Sequence, residues 1–194
     1  MKPLLSLLLS AVIALSLQFS AISSNAAGEA ETVPEFTLIV PDNEEMRTYL
    51  GLKGEPGNTF SIQDIDADIL LIELFSMYCP FCQEEAANVN SLYEAMLSFS
   101  TPEFSVKIIG LGSNNSAFEI DHFRNTYGIR FPLFPDQNMS IFKLLGGKGT
   151  PGFIGLRKNA DNTYSIVLRQ SGGFYQADEF LNELLHKSGY NEQM

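Results

Sequence analysis

The chain has 194 residues, 45% of them apolar, with 23 Asp and Glu against 12 Lys and Arg, two His, two Cys and no Trp. That length suits one domain; with 15 Phe and only 18% charged residues, it is too apolar to be disordered by composition. A net charge of −11 at pH 7 and the lack of any Lys/Arg cluster exclude a phosphate-backbone footprint, so no nucleic acid partner is expected. Two cysteines are too few for a disulfide-stapled scaffold.

Residues 1–27 read as a signal peptide: Lys2 at the start, an apolar run from Leu4 to Leu17, then the small polar stretch Gln18 to Ala27. Ser24-Asn25-Ala26 puts small residues at the two positions that signal peptidase reads, so the mature chain, residues 28–194, is expected to begin near Ala27 or Gly28. The alternative is an uncleaved N-terminal anchor, since the stretch from Pro3 to Gly28 carries no charge and just reaches the length of a span. In both cases the protein is exported, periplasmic or otherwise, where a disulfide can form and persist.

After an acidic lead-in, Phe36 to Val40 reads as a strand stopped by Pro41-Asp42, and Asn43 to Asn58 as a turn-rich irregular hairpin before Phe60-Ser61-Ile62. Ile69 to Phe75 is nearly continuous apolar, the pattern of a central strand buried on both faces, and it contains one acid, Glu73. From Pro80 the period changes. Val89, Leu92, Tyr93, Met96 and Leu97 recur at helical spacing with polar residues between them. Phe104 to Gly112 is a second buried strand, with Lys107 read as facing solvent. Ala117 to Tyr127 is a helix with Phe118, Phe123 and Tyr127 inward, stopped by Gly128. Phe131 to Phe134 is a short extended piece and Met139 to Leu145 a short helix. Phe153 to Arg157 and Tyr164 to Gln170 form an antiparallel hairpin, and Gln176 to Lys187 is a closing helix burying Phe180, Leu181, Leu184 and Leu185. The pattern is that of one α/β domain.

Cys79-Pro80-Phe81-Cys82 stands where the buried strand ends and the amphipathic helix begins. Pro80 suits the first helical position, which places Cys79 at the helix N-terminus, where free amides and the dipole stabilise a thiolate. Cys82 falls one turn later, inside the helix, where it can attack a mixed disulfide and release the partner. Position alone therefore assigns Cys79 as nucleophile and Cys82 as resolving thiol. A purely structural disulfide between residues three apart would close too small a loop to stabilise the chain much. A zinc site would have to recruit His122 and His186, the two histidines, at spacings far from compact metal motifs. They are read as surface residues, and neither metal nor cofactor is expected.

Strand, CxxC, amphipathic helix and the later Thr150-Pro151 before a hairpin resemble the thioredoxin fold, from about Phe36 to Leu185. Within that superfamily the chain looks most like the exported TlpA/ResA-type, peroxiredoxin-like branch, on the lead-in Pro34 to Leu38 and the segment from Ile108 to Asp136. The resemblance implies a central mixed β-sheet flanked by helices, with an N-terminal β extension and an inserted strand-helix segment before the cis-proline. It implies a cis Thr150-Pro151 that faces the dithiol and binds the substrate chain, with Tyr78, Pro80 and Phe81 bordering it. Glu73 stands six residues before Cys79, where the family keeps a buried acid that relays a proton to or from the second cysteine.

Three positions depart from family patterns. Ile72 stands where peroxiredoxins have a proline, although Ser76 matches their Ser or Thr; Gly152-Phe153 follow the proline where cytochrome-maturation members carry an acid; Tyr78 replaces the usual tryptophan. Taken together the expectation is an exported thiol-disulfide oxidoreductase that exchanges disulfides with client proteins through its Cys-Pro-Phe-Cys dithiol. It leans to reduction, because no histidine lies between the cysteines, and needs a membrane electron donor or acceptor for recycling. The rival readings are a thiol peroxidase and a non-catalytic binding or assembly module.

Overall fold

The computed structural model describes residues 31–190; the leader assigned to residues 1–27 lies outside them. Within that range a five-stranded sheet is built on β3 (Ile69–Phe75), which lies between β4 (Val106–Ser113), parallel to it, and β6 (Gly152–Lys158), antiparallel. β5 (Leu133–Asp136) and β7 (Tyr164–Ser171) complete the order β5-β4-β3-β6-β7. Every residue of β3 is buried, as its unbroken apolar run requires.

Side chains alternate across a strand, and β3 divides its residues between two cores. Ile69, Leu71 and Phe75 pack with Val89, Leu92 and Met96 of α2 (Pro80–Phe99) and with Phe180 and Leu184 of α5 (Ala177–Lys187). Leu70, Ile72 and Leu74 pack on the opposite face against an N-terminal layer. That layer holds a small antiparallel sheet of β1 (Thr37–Ile39) and β2 (Thr59–Ser61). Glu73 belongs to the first set, so its carboxyl lies on the α2 side of the sheet.

The stretch from Asn43 to Asn58 is not an irregular hairpin throughout: its first half is α1 (Glu44–Leu50). The Asn43 side chain accepts the Met46 N–H at 3.0 Å, Glu44 and Glu45 sit in the first turn, and Gly51 closes the helix at φ 75°. Seven residues with Leu50 alone fully buried give no periodicity to read, so only the end signals mark this helix. The chain still returns to pair β2 with β1.

α3 (Ala117–Tyr127) forms where expected, with Phe123 buried but Phe118 81% exposed; Ile120 takes the inward place assigned to Phe118. Leu97 is likewise exposed, at the outer edge of the α2 stripe. Lys107 does not face open solvent. It is half-buried with its ammonium 5.9 Å from the centre of the Tyr49 ring; burial lowers its pKa below the ordinary lysine value. A short α4 (Ser140–Leu144) precedes β6.

Candidate active site

The dithiol sits at the carboxyl end of β3, where the parallel strands of the sheet finish. Pro80 occupies the first turn of α2 and Cys79 is its N-cap residue, with extended backbone at φ −86° and ψ 112°. The Cys79 carbonyl accepts the first helical bonds, from Cys82 N–H at 3.1 Å and Gln83 N–H at 3.2 Å. This follows from the sequence: proline lacks the N–H that a first-turn residue would leave unpaired, and its fixed φ suits a helix start.

The turn before the helix is fixed by side chains as well as backbone. The Met77 N–H donates to Asn115 Oδ1 at 2.8 Å, and the Met77 carbonyl accepts from Gln83 Nε2 at 2.7 Å. Asn115 is wholly buried two residues past the end of β4, and Gln83 lies on α2, so both backbone polar groups of Met77 are held from different parts of the chain. The Cys79 N–H closes the turn on the Ser76 carbonyl at 3.0 Å.

Thr150-Pro151 is cis, and it comes against the first cysteine: Cys79 Sγ donates to the Thr150 carbonyl at 3.1 Å. Both cysteines are free thiols within hydrogen-bond reach of each other, Cys79 partly exposed and Cys82 buried. Partial burial pushes the Cys79 thiol up, but bonds from the Thr150 side chain, from Cys82 and from the Phe81 backbone outweigh it and hold the group below the ordinary thiol value. Cys82 is pushed far up, first by burial and then by its bond to Cys79. One sulfur is accessible and readily ionised; the other is hidden and protonated.

Glu73 lies beneath, 2% exposed, with Gly110 and Phe153 as its neighbours across the sheet. Neither supplies a polar side chain, and burial, helped by the negative charge of Glu85, raises its pKa to about 8. Glu85 is anchored: its Oε1 accepts the Phe174 N–H at 2.9 Å, and Gly173 leaves room for the carboxylate that any Cβ would fill. Tyr78 and Phe81 stand exposed on either side of Cys79, and the Tyr78 hydroxyl donates to Glu119, the third residue of α3. Pro80 is exposed as well.

The structure thus brings Cys79, Cys82, Thr150 and Pro151 together, with Glu73 below and Tyr78, Pro80 and Phe81 at the rim. His186 is exposed on α5, and exposed His122 lines a groove beside Tyr78. Among the described residues no cluster of three or more His, Cys, Asp or Glu could hold a metal. Asn115, Gln83, Glu85 and Glu119 are additions that the sequence reading did not single out. Glu85 follows Cys82 by three residues, and that shared helix face is the local signal available for it; Asn115 meets Met77 across 38 residues and carries no local signal.

Comparison with known proteins settles the family. The AhpC/TSA family pattern matches residues 30–170, most of the chain. The chain belongs to the AhpC/TSA family. The thiol-disulfide oxidoreductase ResA of Halalkalibacterium halodurans is 22% identical over 127 residues, 64% of this chain and 67% of that one. The ResA of Bacillus anthracis is 24% identical over 115 residues, 59% of this chain and just under two thirds, 64%, of that one. Among solved structures, StoA from Bacillus subtilis aligns at a TM-score of 0.55 with 18% identity, covering 78% of this chain and 96% of that one. A secreted Mycobacterium tuberculosis disulfide oxidoreductase homologous to E. coli DsbE aligns at 0.54 with 18% identity, over 78% and 95%. These neighbours share the thioredoxin-like fold, so the chain is an AhpC/TSA redox protein on that fold.

Proposed function

We propose that this protein is an exported thiol-disulfide oxidoreductase that reduces disulfides of client proteins. The observation that carries the reading is the pairing of an accessible, low-pKa Cys79 with a buried, high-pKa Cys82 beside the Thr150 carbonyl. The Cys79 thiolate attacks one sulfur of a client disulfide, forming a Cys79–client bond while the other client sulfur leaves as a thiolate. Cys82 then gives up its proton and attacks Cys79 Sγ. The second client sulfur leaves reduced, and the enzyme keeps a Cys79–Cys82 disulfide.

Glu73 is the group suited to receive the Cys82 proton. A carboxyl with a pKa of about 8 lies close to working pH, where a general base is most effective. Thr150 and Pro151 supply the backbone against which a client chain would lie, and Tyr78, Pro80 and Phe81 border it. The oxidised dithiol has to be reduced again by an electron donor across the membrane. Export rests on the leader-like order of residues 1–27, and among the described residues no helix is long and apolar enough to cross a membrane.

The test is the reduction potential of the Cys79/Cys82 pair in thiol-disulfide buffers, read by trapping free thiols. A value near about −270 mV supports a reductase, and one near about −120 mV an oxidase. A pair that does not cycle overturns the exchange reading altogether. Retention of a client on Cys82→Ser but not on Cys79→Ser assigns the attacking sulfur.

A further inference from the structure

Large apolar side chains left in water are ordinary when scattered, but a concentration of them around one site calls for a partner. Seven are exposed among the described residues, and four of them, Tyr78 at 62%, Phe81 at 68%, Phe118 at 81% and Tyr175 at 98%, gather at the dithiol end. They form two banks. On one side Tyr78 and Phe118 line an open groove of about 600 Å³ that begins at the residue before Cys79. The groove is held in shape by the bond from the Tyr78 hydroxyl to Glu119, and Glu119 is itself bound to the Ser116 N–H at 2.6 Å. On the other side Phe81 stands four residues before Glu85, on the same helix face. Glu85 holds the Phe174 N–H and the Gly172 N–H donates to the Pro151 carbonyl at 2.8 Å, so the turn that carries Tyr175 lies beside the cis-proline.

None of the four belongs to either core, so folding gives no reason for them. Both banks have anionic margins. Glu119 lines the first, its amide and hydroxyl bonds holding its carboxyl ionised below the usual range; Glu179 and Glu183 line a cleft with Tyr175 on the second. An acidic side chain entering either bank meets like charge, while an apolar or basic one does not.

We propose that this rim docks an extended, cysteine-bearing polypeptide segment with bulky apolar side chains on both sides of its cysteine and no acidic residue beside it. The proposal rests on the exchange reading and adds what that reading leaves open, the kind of client sequence. An extended segment advances about 3.3 Å per residue, so neighbours within one or two positions of the cysteine reach the banks while its sulfur meets Cys79.

The experiment uses the reduced protein purified from the exported fraction and three synthetic peptide disulfides, with the cysteine flanked by Phe and Leu, by Ser, or by Glu. Glutathione disulfide serves as the small probe. The Phe/Leu peptide is expected to react at least tenfold faster in kcat/KM than the Ser peptide. The Glu peptide should be slowest and should gain as salt screens the margins. In Phe118→Ser combined with Tyr175→Ser, both positions being exposed, the Phe/Leu to Ser ratio falls towards one. Equal rates for the three peptides overturn the proposal. So does concentration-dependent pairing of the protein through Phe118, which makes a second copy the occupant. Failure with glutathione disulfide as well overturns the exchange reading beneath it.

Discussion

Asn115, two residues past the end of β4, accepts the Met77 N–H at 2.8 Å and so ties the loop after that strand to the turn that delivers Cys79. Gln83 Nε2 donates to the carbonyl of the same residue, Met77, at 2.7 Å. The turn therefore has no freedom to swing the first cysteine away from Thr150 without breaking two bonds, one of them to a fully buried side chain.

Asn115→Ala should leave the Met77 N–H without its partner and destabilise the protein by about 1–3 kcal/mol, measured by chemical denaturation. Its specific mark is on the dithiol: the pH midpoint of Cys79 alkylation should rise towards the ordinary thiol value as the sulfur loses its fixed neighbours. Because Asn115 and Gln83 hold the two backbone polar groups of one residue, Met77, Asn115→Ala and Gln83→Ala should be non-additive in a double-mutant cycle. An unchanged alkylation midpoint in both variants would reduce the pair to a packing role.

Glu73 makes stability depend on pH in a direction opposite to that of an ion-paired acid. Its folded pKa of about 8 stands above the ordinary value of 4.5, so the folded state holds the proton more tightly than the unfolded chain. Its contribution is complete below pH 4.5 and is lost as pH rises to about 8. The loss approaches about 1.4 kcal/mol per pH unit within that window. Glu73→Gln should flatten this slope and be the more stable protein at pH 8. It should also slow the release of client from the mixed disulfide by about 10²-fold, visible as accumulated Cys79–client adduct. Glu85→Gln should narrow the same window from its upper end, since the Glu85 charge is part of what raises Glu73.

How far these relationships were legible in the sequence depended on their range. The buried run from Ile69 to Phe75 and the change of period at Pro80 mark a central strand and an amphipathic helix, and both lie where the pattern put them. The position of the dithiol at that junction was equally local, and so was the spacing that carried Glu73. α1 escapes the pattern because its helical signals are confined to its two ends, and Phe118 departs from it because an exposed aromatic at helical spacing looks like a core one. The Asn115–Met77 bond and the contact of Glu85 with Phe174 join residues 38 and 89 apart. Only the packed sheet brings them together.

Tyr49 separates the stability of the fold from the chemistry of the site. Its hydroxyl reaches the edge of β4, accepting the Ile108 N–H at 2.8 Å and lying 3.4 Å from the Ile108 carbonyl. β5 pairs β4 only from Gly110 onward, so this side chain satisfies backbone that no strand covers. Tyr49→Phe should cost about 1–3 kcal/mol in denaturation while leaving the reduction potential of the dithiol unchanged. A shift in potential would show that the N-terminal layer is coupled to the active site.

The asymmetry of the two thiols gives the sharpest single-residue contrast. In Cys82→Ser, the remaining Cys79 keeps its bonds from the Thr150 side chain and the Phe81 backbone, and a serine hydroxyl stands where the second thiol stood. Its alkylation by iodoacetamide should therefore titrate with a midpoint below the ordinary thiol value of about 8.5, and proceed rapidly at pH 7. In Cys79→Ser, the remaining Cys82 is buried and its pKa is pushed up mainly by that burial, so it should resist alkylation at pH 7 until the protein is unfolded. The rate ratio between the variants at pH 7 should exceed 10², since accessibility and thiolate fraction act in the same direction. Comparable rates would mean that α2 opens readily at its first turn, and the assignment of Cys79 as the attacking sulfur would then lose its structural basis.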